Sequence, residues 1–439
     1  MELHANAREG RQALLLLQQS IAPQSAESPT ARLAPAWLGY NPRMLTRRAF
    51  LQSTAAAGAA TLVDPSRVAA ARYDLVIMGG RVLDPVRRLD AVMDVAIARG
   101  RIAAVEPAVT ASDAGDVIDA RGKLVVPGLI DIHAHARSQE MPSICLSDGV
   151  TSLVDAGSQG ADRIDEIVAV AKGAPNRVRI LLNVARTGIL PDGELMDIAR
   201  ADVAAARRAI ERHRELIVGV KARVSQTVAG DNDLEALRRA QAMVAPFKLP
   251  VMVHVGQTRS PLPAILALLK PGDIVTHVYA PPPNGIFDGA GRLLPEVMAA
   301  KRRGIRFDIG NGRIGHITWD MAEMALGQRF LPDTISSDWT DAGRTDQVFD
   351  FPNVLSKFLL LGLPLDEVLS RATVNAAHAF PAFGDLGTLR VGAPADVAVL
   401  ELREGEFQFV DNANTPRMGK SKLVASAAVA GGKPVRRRV

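Results

Sequence analysis

The stretch of sequence that decides the fold is Val126-Pro127-Gly128-Leu129-Ile130-Asp131-Ile132-His133-Ala134-His135. A Pro-Gly turn signal is followed by a short apolar run, which predicts a buried strand. His133 and His135 lie two positions apart at the end of this run, and alternate side chains of a strand point to the same face. The sequence therefore predicts two imidazoles that leave the end of one strand together.

Beyond this strand, short apolar runs alternate with longer helical patterns as far as about residue 380. The eight predicted strands are residues 130–133, 151–155, 178–183, 216–221, 250–254, 273–277, 305–309 and 334–337. Eight strands alternating with helices over roughly 250 residues predict a (β/α)8 TIM barrel, within the α/β class. A doubly wound sheet has the same local pattern and stays the alternative, although no GxGxxG or P-loop motif supports nucleotide binding.

Strand patterns of a different kind flank the barrel on both sides. Residues 74–78, 92–97, 102–105, 117–119 and 124–126 precede it, and residues 396–401 and 424–430 follow it. This distribution indicates one small β-sandwich domain formed by both chain ends. The predicted organisation is a leader at residues 1–71, sandwich parts at 72–126 and 386–439, and the barrel at 127–385.

The predicted leader contains an export signal. Thr46-Arg47-Arg48-Ala49-Phe50-Leu51-Gln52 resembles a twin-arginine signal, and it is followed by an apolar stretch at residues 55–63 and by Ala69-Ala70-Ala71. This order of segments predicts cleavage before Arg72, contact with the twin-arginine export machinery, and a periplasmic or otherwise exported location. An alanine-rich helix in a cytoplasmic protein is the alternative, and the start site is either Met1 or Met44.

Composition limits the class of protein and its partners. The 439 residues are 48% hydrophobic and 23% charged, which excludes disorder, collagen and coiled coil as the overall class. Residues 1–71 supply +3 of the net charge of +5 through seven Arg and four acidic residues, so the remainder carries +2 and predicts no nucleic-acid partner. The single Cys145 excludes an intrachain disulfide. No stable membrane span is predicted, a small molecule is the expected partner, and homo-oligomer formation stays open.

Four further side chains with metal or acid–base chemistry fall at the predicted ends of other strands. They are Lys221 after the fourth strand, His254 after the fifth, His277 after the sixth and Asp338 after the eighth. Each alone has an ordinary explanation: a hydrogen-bonded core histidine, a helix-capping aspartate, or a lysine that extends its amine to solvent. TIM-barrel active sites lie at the carboxyl ends of the strands, so their joint placement favours a metal centre.

The remaining histidines lie outside the predicted strand ends. Four of the seven histidines after residue 71 lie at predicted strand ends. The other three, His213, His316 and His378, fall in helix-like segments. We interpret His213 and His378 as structural or surface residues.

Lys221 requires an explanation of its own, because divalent metal ions would repel a charged amine. Addition of CO2 to the neutral amine gives a carbamate, a bidentate anion able to bridge two metals. The four imidazoles, carboxylated Lys221 and Asp338 then predict a binuclear site. Zn²⁺ suits these ligands best, and Mn²⁺ or Fe²⁺ stays open.

These residues resemble the amidohydrolase superfamily of metal-dependent hydrolases. The resemblance is carried by the segment from Val126 to His135, by the four later side chains, and by Gly387-Thr388-Leu389-Arg390-Val391-Gly392-Ala393-Pro394-Ala395-Asp396-Val397. The segments at 218–225, 154–158 and 307–310 resemble its amidohydrolase/deacetylase group, often labelled dihydroorotase-like. The resemblance implies that His133, His135 and Asp338 hold one metal, and that His254 and His277 hold the other, with carboxylated Lys221 between them.

The same resemblance implies a mechanism and a set of substrate contacts. A metal-bridging hydroxide would attack a carbonyl group, with Asp338 as general base and then acid. Arg137 completes a motif similar to the HxHxR of dihydroorotases, in which the Arg holds a substrate carboxylate, and Arg223 follows Lys221 by two residues. A salt bridge at the rim is the alternative for both arginines. Weaker candidate contacts are Asn183, Tyr279 and Asn311.

Asn311 is also a departure from the resemblance, because relatives often have His in this segment, and His316 is a candidate to compensate. The predicted function is a metal-dependent hydrolase that cleaves an amide or ester bond, as deacetylases and amidohydrolases do, in a small carboxylated or acylated substrate. A cyclic-amide hydrolase of the dihydroorotase or hydantoinase kind is one alternative. A non-catalytic binding relative is the other.

Overall fold

The computed structural model describes residues 72–340 and 342–436, so the predicted leader lies outside the described residues. The described chain begins with strands that form hairpins and short parallel pairs. These are β1 (Tyr73–Asp84), β2 (Leu89–Ala98), β3 (Arg101–Glu106), β4 (Ala114–Asp119) and β5 (Leu124–Pro127). Each was expected from alternating or β-branched runs, and the structure extends most of them by several residues.

Seven parallel strands follow and form the wall of the barrel. They are β6 (Leu129–Ala134), β7 (Val150–Ala156), β8 (Arg177–Asn183), β9 (Ile217–Arg223), β10 (Val251–His254), β11 (Ile274–Thr276) and β12 (Arg306–Asp308). They are neighbours in chain order from β6 to β12. A doubly wound sheet would reverse its strand order at a switch point, so this order excludes that alternative and supports the barrel.

The predicted eighth strand at residues 334–337 is not a regular strand. Two isolated parallel bridges replace it, from Thr334 to Asp308 on β12 and from Trp339 to Ala134 on β6. Backbone N–H groups also bond across both gaps, since Ile309 donates to the Thr334 carbonyl and Asp338 donates to the His133 carbonyl. Residues 334–339 therefore connect the first strand of the barrel to the last.

Helices connect the barrel strands. They are α1 (Met141–Ser147), α2 (Ile164–Gly173), α3 (Val203–Arg212), α4 (Gln226–Ala229), α5 (Asp233–Val244), α6 (Leu262–Leu268), α7 (Pro295–Arg302), α8 (Trp319–Gly327), α9 (Phe351–Leu360), α10 (Leu365–Arg371) and α11 (Val374–Ala379). Helix α3 begins at Val203. Asp202 caps it by accepting a hydrogen bond from the Ala205 N–H at 2.9 Å, so the preceding residues form a loop.

The chain ends with three strands that join the N-terminal ones. They are β13 (Val397–Val410), β14 (Pro416–Ala430) and β15 (Lys433–Arg436). One eight-stranded sheet has the order β15-β14-β13-β5-β1-β2-β3, with β4 also paired to β1. Both chain ends therefore contribute to one sheet, and its predicted arrangement as a sandwich stays a prediction.

Branched apolar side chains fill the centre of the barrel. Ile130, Ile132, Val154, Val218 and Ile274 belong to one buried cluster, as expected for the interior layers of such a barrel. A larger cluster packs the outer strand faces against the helices. Within residues 72–340 and 342–436, no helix is both long and apolar enough to cross a membrane.

Candidate metal centre

A cavity of about 230 Å³ lies where the carboxyl ends of the barrel strands meet. It is lined by His133, His135, Arg137, Ile189, Lys221, Arg223, His254, His316, Asp338 and Thr340. Five of the six predicted metal ligands are in this lining, and His277 stacks on His316 at its wall, with 3.7 Å between ring centroids. The predicted ligands, from distant parts of the sequence, are therefore brought together.

One group of ligand atoms surrounds the Asp338 carboxylate. Its Oδ1 lies 3.3 Å from His133 Nε2 and 3.2 Å from His135 Nε2. The Lys221 Nζ lies 2.9 Å from the same His133 Nε2. All four side chains are buried.

Hydroxyl groups behind the two imidazoles fix which ring nitrogen carries the proton. Thr276 Oγ1 donates to Asp308 Oδ2 at 2.7 Å, so it accepts a hydrogen bond from His133 Nδ1 at 2.9 Å. The Nε2 atom of His133 is then left with its lone pair towards the cavity. A second hydroxyl has the same effect on His135.

That second hydroxyl belongs to Ser158. It donates to Asp155 Oδ2 at 2.6 Å and accepts from His135 Nδ1 at 2.9 Å. One carboxylate oxygen of Asp338 thus lies close to two imidazole nitrogens, one of which also contacts the Lys221 amine. A cation at this point satisfies all three atoms, so the residues present fit a metal ion.

A second group consists of three imidazoles, from His254, His277 and His316. Their ligand atoms all lie within 4.8 Å of one another, as do those of His133, His135 and Asp338. His277 Nδ1 donates to the Gly310 carbonyl at 2.8 Å. Its Nε2 is buried and has no hydrogen-bond partner, as expected of a nitrogen that awaits a metal.

The electrostatic environment sets protonation states that suit metal binding. Burial lowers the pKa of His254 and His277 well below the usual value, and His316 adds to this effect. Burial also lowers the pKa of Lys221 to about 7, against the opposing effect of Asp338. Metal ligands must be deprotonated, and these pKa shifts favour neutral imidazoles and a neutral amine near pH 7.

The pKa values of Asp338 and His133 shift towards the charged forms of both groups. Burial would raise the pKa of Asp338, but His133, His135 and His316 outweigh it and hold the pKa of this carboxyl well below its usual range. Conversely, Asp338 and Asp308 outweigh burial and raise the pKa of His133. The pair therefore attracts positive charge, which a metal ion would supply in place of a proton.

Two of the predicted ligands have strained backbones. His277 has φ 65° and Asp338 has φ 49°, in the left-handed region that side chains other than Gly rarely adopt. Such strain persists only where the surrounding structure enforces it, and it concentrates at functional sites. Both residues lie immediately after a segment of the barrel wall, His277 after β11 and Asp338 after residues 334–337.

Glycines allow the backbone to approach the ligands closely. A Cβ at Gly157 would lie 2.5 Å from the Lys221 Cβ, and one at Gly312 would lie 2.1 Å from His316 Nδ1. Gly312 also has φ 55°. Both positions therefore require glycine for the neighbouring side chain to stay where it is.

The two predicted arginines line the cavity, and one has a partner that the sequence reasoning missed. Arg223 Nη1 lies 3.3 Å from Glu194 Oε1, and the Glu194 side chain is fully buried. Burial raises the pKa of Glu194, with Arg223 opposing. No local pattern marked Glu194, because it comes from the long loop after β8. Arg137 also lines the cavity.

Three predicted substrate contacts lie outside the cavity lining, and the reason is the same for each: a buried hydrogen-bond partner. Asn183 donates to the Gly157 carbonyl at 2.9 Å. The Tyr279 hydroxyl donates to the Phe330 carbonyl at 2.8 Å. Asn311 donates to the Gln347 carbonyl at 2.9 Å. These hydrogen bonds hold all three side chains within the barrel, and their role as substrate contacts stays a prediction.

The expectation that His316 lies in a helix-like segment is wrong. Helix α8 begins only at Trp319, and His316 lies in the loop before it. The segment Gly310-Asn311-Gly312-Arg313-Ile314-Gly315 contains three glycines, a loop signal that could have revealed this. His213 has the expected structural role, with Nε2 2.8 Å from Asp165 Oδ1, and His378 is exposed.

The fold and site together define a TIM-barrel protein with two groups of metal-ligating side chains, and comparisons identify its family. A deacetylase of Enterococcus faecalis is 30% identical over 369 residues, which are 82% of this chain and 98% of the relative. No model of a protein family matches the chain.

Two solved structures have the same fold. The structure of an adenine deaminase superposes with a TM-score of 0.76 at 29% identity, over 83% of this chain and 100% of that one. The structure of a dihydroorotase gives a TM-score of 0.74 at 27% identity, over 83% and 99%. The chain belongs to the amidohydrolase superfamily, in its dihydroorotase-like amidohydrolase and deacetylase group, and it is a hydrolytic enzyme.

Proposed function

We propose that this enzyme hydrolyses an amide or ester bond in a small acylated or carboxylated molecule, as a deacetylase does. One observation carries the proposal: a single carboxylate oxygen of Asp338 faces the lone-pair nitrogens of His133 and His135. The enzyme of E. faecalis that matches nearly full length is named a deacetylase. The small cavity, with its two arginines, suits a small anionic substrate.

His133, His135 and Asp338 would hold one divalent ion, and His254 and His277 would hold the other. Lys221, carboxylated by CO2, would join the two sites. Carboxylation needs the neutral amine, and the lowered pKa of Lys221, about 7, supplies it near neutral pH. Zn²⁺ suits imidazole and carboxylate ligands best.

The bound metals would supply Lewis acidity, which polarises the substrate carbonyl and lowers the pKa of water to near 7. Asp338 accepts the proton of the attacking water at a carboxylate oxygen and returns it to the leaving group. Its low pKa keeps the carboxylate ionised at neutral pH. General acid–base catalysis of this kind contributes about 10²–10⁴-fold.

Arg223 and Arg137 would orient the substrate. Glu194 lies behind Arg223 and holds its guanidinium at the cavity wall. A guanidinium can bind a carboxylate through two parallel hydrogen bonds, which fixes orientation as well as charge. We therefore infer a substrate whose scissile acyl group is close to a carboxylate.

Opening of a cyclic amide is the second candidate. Arg137, in the His133-Ala134-His135-Ala136-Arg137 motif, lines the cavity, and the superposed dihydroorotase supports this reading. A non-catalytic binding role is disfavoured by the complete ligand set. We also propose that the chain is exported by the twin-arginine route.

Metal content and a substrate panel test the hydrolytic function. We expect elemental analysis of protein reconstituted with Zn²⁺ and bicarbonate to find bound metal, and activity on an N-acyl amino acid or an acyl-hydroxy acid. D338N should lose about 10²–10⁴-fold in kcat and keep its fold.

D320N is the matched control, because Asp320 is 91% exposed on α8. It should retain full activity. Wild-type protein that takes up no metal after this treatment would contradict the proposal, as would D338N with the activity of D320N. Turnover of cyclic amides alone would favour the second candidate.

A further inference from the structure

We propose that His316 is a third imidazole ligand of the second metal ion, beside His254 and His277, and that Asn412 holds it there. The inference rests on the proposed metal centre and adds to it a ligand and a positioning residue. Two-imidazole coordination with a carbamate is what the family resemblance implies. The structure of this chain offers one imidazole more.

The three rings form a compact cluster. The His316 ring stacks on that of His277 at 3.7 Å with an interplanar angle of 29°. It lies edge-on to His254 at 5.2 Å, while His254 and His277 are 4.1 Å apart. Three imidazoles clustered at the wall of one polar cavity are an arrangement that a shared cation would stabilise.

Two ring nitrogens in this cluster are buried without hydrogen bonds. They are His277 Nε2 and His316 Nδ1. His316 Nδ1 lies 3.1 Å from Asp338 Oδ2, but the two are not aligned as a hydrogen bond. A buried polar atom without a partner is costly, and a metal ion at this point would satisfy both nitrogens.

Asp338 lies between the two ligand groups. Its Oδ1 faces His133 and His135, and its Oδ2 faces His316. Three protein ligands are the usual complement of a catalytic zinc site, with one position left for water or substrate. His254, His277 and His316 would complete such a set without help from Lys221.

His316 owes its position to the turn between β13 and β14. Asn412 Oδ1 accepts hydrogen bonds from the backbone N–H of His316 at 2.9 Å and of Ile317 at 3.3 Å. Its Nδ2 donates to the Gly312 carbonyl at 3.0 Å. One buried side chain of the C-terminal strands thus holds the loop of His316 from both sides.

Metal titration of the full chain tests this inference. Metal-free wild type is titrated with Zn²⁺ against a chelating indicator, and bound metal is counted by elemental analysis. We expect two ions per chain. H316A should lower the affinity of the weaker ion by at least about 100-fold, and N412A by about 10–100-fold, the usual effect of residues behind a metal ligand.

H378A is the matched control, because His378 is exposed on α11, and it should bind as the wild type does. A second readout uses Co²⁺, whose visible absorption reports coordination. The spectrum of the second equivalent should change in H316A and N412A. N412A keeps every ligand, so it tests the inference even if H316A folds poorly.

The outcomes separate this inference from the proposed function. Two ions bound equally tightly by wild type, H316A and N412A would overturn the role of His316 and leave the hydrolytic proposal standing. A wild type that binds no metal would remove both. A further pair of variants tests whether the site depends on carboxylation. If K221M keeps one tightly bound ion and the double variant K221M/H316A loses it, the result would support a three-histidine site independent of carboxylation.

Discussion

The smallest functional unit of the site is an imidazole with the hydroxyl behind it. His133 presents a lone pair to the cavity because Thr276 accepts its Nδ1 proton, and Thr276 can do so only because its own proton goes to Asp308. Removal of the hydroxyl frees the ring to rotate and to change tautomer. We therefore expect T276V to weaken metal binding by about 10–100-fold.

T276S keeps the hydroxyl and is the matched control. Chelator competition with both variants gives the measurement. The argument from tautomers would be wrong if T276V bound metal as tightly as T276S.

Lys357 provides a pH-dependent test of burial. It is on α9, donates to the Gln347 carbonyl at 2.6 Å, and burial lowers its pKa to about 7. An unfolded lysine titrates near 10.4, so between about pH 7 and 10.4 the unfolded chain binds a proton that the folded chain does not. Stability contributed by this group therefore rises with pH across that window and is lowest below it.

Urea denaturation from pH 6.5 to 10 measures this effect. Wild type should gain up to about 1.4 kcal/mol per pH unit relative to K357M. K172M, at an exposed lysine of α2, should follow the wild type. Parallel curves for wild type and K357M would contradict this, because they would mean that Lys357 has the same charge in the folded and the unfolded chain.

Among the elements, the segment at residues 334–339 is the part of the barrel wall that does not form a regular strand. Asp131 on β6 compensates by accepting hydrogen bonds from the Ser337 hydroxyl and from the backbone N–H of Ser337 and His133, the latter two at 3.1 Å. D131A leaves these buried donors unpaired, and we expect a loss of about 3 kcal/mol in the free energy of unfolding.

D131N retains an acceptor oxygen and should lose much less. Urea denaturation of both variants at one pH distinguishes them. If both variants were as stable as the wild type, the segment would be held by its backbone bridges alone.

The same segment shows what sequence patterns can and cannot predict about elements. Apolar β-branched runs predicted seven barrel strands to within about two residues, because burial on both faces demands such side chains. The segment at 334–337 is Thr-Ile-Ser-Ser, with a single apolar residue, and its Ser336 and Ser337 hydroxyls bond to Asp308 and Asp131. Side-chain bonds of this kind depend on partners far away in sequence.

Individual site residues also differ in whether the sequence could predict them. Strand ends predicted the side chains that meet at the cavity, because that position directs a side chain into the barrel mouth. It did not exclude Tyr279, whose hydroxyl reaches the Phe330 carbonyl. The sequence pattern indicates His316 only as a candidate to compensate for Asn311, because its place depends on Asn412, 96 positions later in the chain.

Considered as a whole molecule, the chain couples its two sheets at the metal centre. The turn after β13 reaches the barrel through Asn412, and Asp411 Oδ2 accepts a hydrogen bond from the Trp319 N–H at 3.0 Å. If His316 is a metal ligand as proposed, we expect full metal binding to require the folded turn after β13.

This requirement bears on export, because the twin-arginine route carries folded proteins. We expect the chain that begins at Met44, expressed in a bacterium with this route, to appear outside the cytoplasm with Arg72 as its first residue. Substitution of Arg47 and Arg48 together by Lys should abolish the exported form, because the signal depends on that pair. R67K, in the same leader, is the matched control and should be exported.

Cell fractionation and N-terminal sequencing measure the result. Retention of the unsubstituted chain in the cytoplasm, with its leader intact, would contradict export, and it would favour the alternative of an alanine-rich helix. The metal content of the exported form adds a further constraint. If folding around metal precedes export, the exported chain should carry metal even when the medium contains a chelator that cannot enter the cytoplasm.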